Sequence, residues 1–133
     1  MAKKILFVCL GNLVRSQMAE AYYNHLTRSK KASSAGILGY VSEKNNKPSK
    51  KAIKVMKEEG IDISKSDVTA LDLDIIDESD EIYVLCSKQE CPYYLRNSEK
   101  ETNYWDIDDP IGKSIEEYRK ARDQIKKLVL EIV

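Results

Sequence analysis

The chain has 133 residues, with 22 Lys+Arg balanced by 22 Asp+Glu, so its formal charge is zero. That length suits one domain able to bury roughly two-thirds of its unfolded surface. An apolar fraction of 42% with 33% charged residues excludes a disordered chain. Charge neutrality without a long basic run gives no footprint for a nucleic-acid partner.

No stretch approaches the apolar length that a membrane helix needs, so no membrane partner is expected. The start of the chain, Met1 to Leu10, resembles an export signal only superficially. Its apolar run ends at Leu10 and meets Gly11-Asn12 without a small-residue cleavage site. Three cysteines, an odd number, argue against a disulfide framework, and the expected location is the cytoplasm.

Lys4–Cys9 is a short continuous apolar run, the pattern of a parallel strand covered on both faces. Leu10–Val14 carries the Gly and Asn of a tight loop, and from Arg15 to about Arg28 apolar residues recur at helical spacing. Ser33–Gly36 reads as the end of a second strand, followed by a loop through Lys47 and a helix from Pro48-Ser49 to Gly60. A short acidic helix is expected over Leu71–Asp77, a strand over Glu81–Cys86, and a weaker strand over Thr102–Ile107. The last helix, Ser114 to about Ile132, sets Ile115, Tyr118, Ala121, Ile125, Leu128, Val129 and Ile132 on one stripe. Alternating strands and helices predict a single α/β domain with a parallel sheet and helices on both faces. In such sheets ligands bind beyond the carboxyl ends of the strands. Cys9, Cys86 and Asp108-Asp109-Pro110 each follow a predicted strand, so they share that edge.

Cys9-Leu-Gly-Asn-Leu-Val-Arg15-Ser16 therefore ends a strand and opens a helix. Backbone N–H groups of Leu10, Gly11, Asn12, Leu13, Val14 and Arg15 then aim at one point beside a positive helix end, an oxyanion cradle. The Arg15 guanidinium can grip two oxygens of a tetrahedral anion at once. The same field favours the thiolate of Cys9, the nucleophilic form, and Ser16 can donate a hydrogen bond to the sulfur. A buried structural cysteine is the plain reading of a lone Cys. Arg15 and Ser16 at this spacing favour the nucleophile.

Cys, five residues, Arg, Ser, with Gly-Asn inside the loop, resembles the low-molecular-weight protein tyrosine phosphatases and the arsenate reductases descended from them. Ser16-Gln-Met-Ala-Glu20, Ser34-Ala-Gly36 and Gly60-Ile-Asp-Ile-Ser64 extend the likeness over nearly the whole chain. The resemblance implies a four-stranded parallel sheet and a general acid at the Asp before Pro, here Asp109. Asp106 and Asp108 are nearby rivals.

Cys86 and Cys91-Pro92 resemble the redox pair of the arsenate reductases that take electrons from thioredoxin. That likeness implies a relay: Cys9 attacks arsenate, Cys86 attacks Cys9 and arsenite leaves, and Cys91 attacks Cys86. Thioredoxin then reduces the Cys86–Cys91 disulfide. The pair here spans four intervening residues, fewer than is usual in the family. Such a spacing, with His25 the sole histidine, matches a zinc site poorly.

Phosphatases of the family place tyrosines directly behind Asp-Pro, whereas this chain has Ile111-Gly112-Lys113. Tyr40 and Trp105 are left to supply an aromatic wall. The expected activity is arsenate reduction, and the alternative is a tyrosine phosphatase working through a Cys9 phosphoenzyme with Asp109 as acid. A phosphatase using the Cys pair as a redox guard, or a cysteine phosphocarrier, are further readings; a carrier would not need Arg15 or Asp109. The reductase resemblance also implies a potassium ion near Asn12, Glu20, Ser34 and Asp62, with no organic cofactor. A monomer is expected.

Overall fold

The computed structural model describes residues 3–37 and 47–133; Tyr40, a candidate for the aromatic wall, lies outside them. Four strands, β1 (Ile5–Cys9), β2 (Ala32–Gly36), β3 (Glu81–Val84) and β4 (Glu101–Tyr104), form one parallel sheet in the order β2-β1-β3-β4. The chain leaves β1 toward one edge and returns past it to β3. The strand order therefore reverses between β1 and β3, where such sheets bind ligands. In register, Cys9 lies opposite Gly36 and Val8 opposite Val84, so the chain segments following β1, β2 and β3 emerge together.

Helices α1 (Arg15–Thr27), α2 (Lys50–Lys57) and α5 (Ile115–Leu130) cover one face. Their core contains Ile5, Phe7, Met18, Tyr22, Val55, Met56 and Ile125. The other face packs Leu6, Val8, Ile82 and Val84 against Ile76 of α3 (Leu73–Asp77) and Leu95 of α4 (Tyr93–Arg96). Alternation along β1 explains the split, since successive side chains of a strand point to opposite faces. Both faces are covered, which is why β1 reads as an unbroken apolar run.

The structure corrects several expected boundaries. α3 begins at Leu73, because the Asp72 side chain accepts the Ile75 N–H at 2.8 Å and caps the helix there. β4 ends at Tyr104, short of the expected Ile107. The segment between the two late cysteines and beyond, expected as loop, contains a 3₁₀ turn (Lys88–Glu90) and then α4. The turn is set by Ser87 and Glu90, whose side chains bond back to the backbone in a capping box.

The last helix is not purely apolar on its inner side. Arg122 is buried there, donating to the Val55 carbonyl at 3.0 Å and to Glu58 at 2.7 Å. Arg119 donates to the same carboxylate at 2.8 Å, and Lys126 and Tyr22 both donate to Glu59. These bonds tie α1, the end of α2, and α5 together. Hydrogen bonds from Arg119 and then Arg122 hold the Glu58 carboxyl at about 2, well below the usual carboxylate range. A depressed native value contributes stability that is present above the unfolded value, about 4.3, and is lost as pH falls toward 2. The denaturation midpoint of the parent should therefore fall on acidification from pH 5 to pH 3 more steeply than that of Glu58→Gln, measured in urea by tryptophan fluorescence.

Candidate active site

The loop after β1 is held from three sides. The Cys9 carbonyl accepts Ile37 N–H at 3.0 Å, and the Leu13 carbonyl accepts Ser49 N–H at 3.0 Å. Met18 N–H bonds the Val14 carbonyl at 3.0 Å, which starts α1. Gly36 faces the loop so closely that a Cβ there would lie 2.7 Å from the Gly11 carbonyl carbon and 2.8 Å from the Asn12 nitrogen. Only a residue without a side chain lets the two backbones meet.

Asn12 sits at the turn of this loop, fully buried and with φ of +58°, a left-handed conformation that Asn tolerates better than most residues. Its amide can be oriented without ambiguity. Thr69 N–H, which can only donate, bonds one end at 2.8 Å, so that end is Oδ1. Gln17 Nε2 donates to the same oxygen at 3.2 Å, and is itself oriented by its bond to the Asp67 carbonyl at 2.8 Å. The Asn12 NH₂ group therefore faces Ser16 Oγ at 2.7 Å and Ser34 Oγ at 2.9 Å. Each hydroxyl accepts from Asn12 and keeps its own proton to give elsewhere. Ser16 Oγ lies 3.0 Å from Cys9 Sγ, with its own proton free to go to the sulfur. Asn12 backbone N–H adds a second donor to Sγ at 3.3 Å. Cys9 thus sits nearly closed to solvent, with the Asn12 N–H and the Ser16 hydroxyl at its sulfur.

Arg15, the first residue of α1, is buried and stretched across the carboxyl end of the sheet. Its Nη1 donates to the Leu85 carbonyl at 3.0 Å and the Ile107 carbonyl at 2.8 Å. Its Nη2 pairs with Asp109 Oδ2 at 3.4 Å. Asp109 also accepts Ile111 N–H at 3.0 Å on Oδ1, which steadies the carboxylate beside Pro110. Asp106 and Asp108 are exposed, and neither pairs with Arg15. Of the three candidate acids, the fold brings Asp109 to the guanidinium.

Cys86 and Cys91 are buried free thiols, packed with Leu95 and Ile76 on the sheet face opposite that of Cys9. Burial pushes the Cys86 thiol up to about 12, Arg15 offsetting part of that and Cys9 adding to it. Burial also raises Cys91, while the Tyr104 hydroxyl, donating to its sulfur at 3.9 Å, pulls the other way.

Trp105 packs on Tyr83 at 4.7 Å and on Phe7 at 5.9 Å between ring centroids, in the core beneath the acid loop. His25 is exposed at the end of α1, away from this chemistry.

Of the residues expected to hold potassium, Ser34 links Asn12 to Glu20, and Asp62 stands apart from them on the surface. Asn12 offers hydrogens to Ser34, and its one amide oxygen already carries two N–H donors. Asp62 is exposed, with Oδ1 accepting Ser64 N–H at 2.8 Å. Glu20 is drawn into the loop differently, as a half-buried carboxyl pushed up by burial and bonded by Ser34. Nothing in the chemistry below runs through a cation. Among the described residues, no three His, Cys, Asp or Glu side chains cluster as metal ligands, and no helix is long and apolar enough to cross a membrane.

The family of low molecular weight phosphotyrosine protein phosphatases matches residues 4–133. The chain belongs to this family. Arsenate reductase 1 of Staphylococcus haemolyticus is 39% identical over 132 residues, covering 97% of this chain and 93% of the relative. Among solved structures, an arsenate reductase in its phosphate-binding state superimposes with a TM-score of 0.79 at 31% identity, covering 98% and 96% of the two chains. An arginine phosphatase from Geobacillus stearothermophilus gives 0.85 at 29% identity, over 98% and 90%. Both chemistries thus occur on this family fold.

The structure brings Cys9, Arg15, Ser16 and Asp109 to one edge and adds Gln17, Thr69 and the close approach of Gly36, which the sequence did not single out. Gly36→Ala should destabilise the fold by about 1–3 kcal/mol, because backbone on both sides has little room to give. It should also weaken binding of inorganic phosphate, as the displaced loop misaims its N–H groups. Urea unfolding and calorimetric titration with phosphate read the two effects, and unchanged phosphate affinity would separate the loop from Gly36.

Proposed function

We propose that this protein reduces arsenate to arsenite by a three-cysteine relay recharged by thioredoxin. The reading rests on one observation above all. A cradled thiol, Cys9, stands with Arg15 and Asp109 at the same sheet edge where Arg15 anchors the residue preceding a second free thiol, Cys86. A phosphatase needs the first three groups for turnover and does not need a pair of buried thiols behind them for it. The arsenate reductase of Staphylococcus haemolyticus, similar along 97% of this chain, supports the same branch.

Arsenate enters the loop with its oxygens on the backbone N–H groups and on Arg15, displacing Asp109 from its direct pairing. Cys9 Sγ, as thiolate, attacks arsenic, and Asp109 protonates the departing oxygen, which leaves as water. Cys86 then attacks Cys9 Sγ. The sulfur–arsenic bond breaks with its electron pair remaining on arsenic, so As(V) becomes As(III) and arsenite departs. Cys91 attacks Cys86, the new disulfide joins that pair, and Cys9 is released as thiolate. A thioredoxin dithiol reduces the Cys86–Cys91 disulfide and closes the cycle.

Cys86 and Cys9 face opposite sides of the sheet, so the second step requires the 86–96 segment to rearrange. That segment consists of a 3₁₀ turn and a four-residue helix, short pieces that open at low cost compared with a core strand. Opening also returns Cys86 to water and removes the burial that holds its thiol protonated.

The test is arsenate-dependent NADPH oxidation with thioredoxin and thioredoxin reductase, alongside hydrolysis of para-nitrophenyl phosphate. Cys86→Ser and Cys91→Ser should each abolish arsenate turnover while leaving ester hydrolysis by Cys9 in place. Asp109→Asn should lower hydrolysis by about 10²–10⁴-fold. Brisk hydrolysis with no arsenate-dependent oxidation in the parent would overturn the reductase reading in favour of a phosphatase.

A further inference from the structure

Tyr104, the last residue of β4, is a residue for which the chemistry above has found no use. It packs partly buried against the cluster that contains Cys86, Cys91 and Leu95. Its hydroxyl donates to Cys91 Sγ at 3.9 Å, within reach for a large, diffuse sulfur acceptor. On its ring, the Lys88 ammonium stands 5.6 Å from the centroid. Lys88 belongs to the 3₁₀ turn between the two cysteines, so one tyrosine touches both the turn and the thiol that the turn positions.

The other groups that bear on Cys91 are few. Arg96 of α4 favours its charged form, and Tyr94 of the same helix responds to its charge. Cys86, at the end of β3, also acts on Tyr104. Of the groups facing the sulfur, Tyr104 is the one that gives it a hydrogen bond.

We infer that Tyr104 is a positioning residue that selects Cys91 as the resolving nucleophile by donating a hydrogen bond to its thiolate, with Lys88 over the ring strengthening the donor. This rests on the reading of Cys91 as the thiol that attacks Cys86. In that step Cys91 gives its proton to solvent, and its sulfur bonds Cys86 Sγ. The Cys9–Cys86 bond breaks, and its electron pair leaves on Cys9 as thiolate. A donor on Cys91 offsets part of the burial that holds its thiol protonated, while Cys86, which has no such donor among the described residues, stays protonated until it is exposed. A cation on the ring face draws electron density from the phenol and makes its O–H a better donor. The direction of reaction is then built in: Cys86 is the sulfur attacked, and Cys91 the sulfur attacking.

The experiment follows the pH dependence of iodoacetamide labelling at Cys9, Cys86 and Cys91 in the reduced full-length protein, resolved by peptide mass spectrometry. Tyr104→Phe keeps the ring and its packing. It should move the Cys91 labelling midpoint upward by about one pH unit, slowing labelling about tenfold below the midpoint. Cys9 labelling should keep its profile. Lys88→Gln should move Cys91 in the same direction by less. An unchanged Cys91 midpoint, or faster labelling by the same factor at every pH, would overturn the inference, the latter marking a purely packing role. Labelling needs no arsenate, so absent arsenate turnover would sink the reductase reading while leaving the tuning of Cys91 to be judged on its own midpoint.

Discussion

The Thr69 N–H that meets Asn12 Oδ1 at 2.8 Å decides the polarity of the site. A backbone amide only donates, so the Asn12 side chain has one permitted orientation, and its bonds to Ser16 and Ser34 inherit their direction. Asn12 gives hydrogen bonds to Ser16 and Ser34; Ser16 meets Cys9 with its own proton free, and Ser34 bonds Glu20. Reversing the Asn12 amide would put its NH₂ against Thr69 N–H and its oxygen against Ser16 and Ser34, taking up the protons those hydroxyls now have free. A buried network of this kind is costly if any member is unpaired, and here each polar end of Asn12 has its partners. The left-handed backbone at Asn12 and the bare Gly36 beneath it are consequences of the same requirement: the amide must reach Thr69 while its N–H reaches sulfur.

Arg15 extends that constraint across the sheet. Two of its bonds go to carbonyls, of Leu85 and Ile107, that immediately precede the chemistry-bearing segments after β3 and β4. The guanidinium therefore fixes where Cys86 and Asp109 begin, besides offering Nη2 to an anion. Surface ion pairs contribute little, but this one is buried on the arginine side and backed by backbone acceptors. An oxyanion that recruits Arg15 also presses on both flanking segments, so binding and the freedom of the 86–96 segment share one side chain.

How much of this was legible in the chain follows from distance along it. β1, the loop and the start of α1 are contiguous, and their apolar run, Gly-Asn turn and Arg-Ser opening together read as an anion site before any fold is known. The partners of Asn12 were not legible. Thr69 lies 57 residues away in a segment with no periodic pattern, and nothing local distinguishes it from any loop threonine. Gly36 was visible as part of a strand end, but its tight approach to Gly11 and Asn12 depends on pairing of β1 with β2. The turn at Lys88–Glu90 and the four-residue α4 are too short to repeat a helical pattern, so they read as loop. Nothing in the sequence marks Arg122 as buried, because the Glu58 carboxylate and Val55 carbonyl that receive it lie far along the chain.

The two late thiols are where packing and reactivity oppose each other, and the opposition is useful. A thiol pushed up to about 12 has on the order of one part in ten thousand as thiolate at pH 8, against roughly a quarter for an ordinary cysteine. In the packed state Cys86 is therefore nearly inert, both toward Cys9 and toward oxidants. Its inertness comes from the same apolar cluster, Leu95, Ile76 and Val84, that seats the short helix α4. Whatever loosens that helix both moves Cys86 and wakes it, so reactivity and mobility rise together rather than needing separate switches. Such gating suits the relay proposed above, in which Cys86 acts only after its segment has opened.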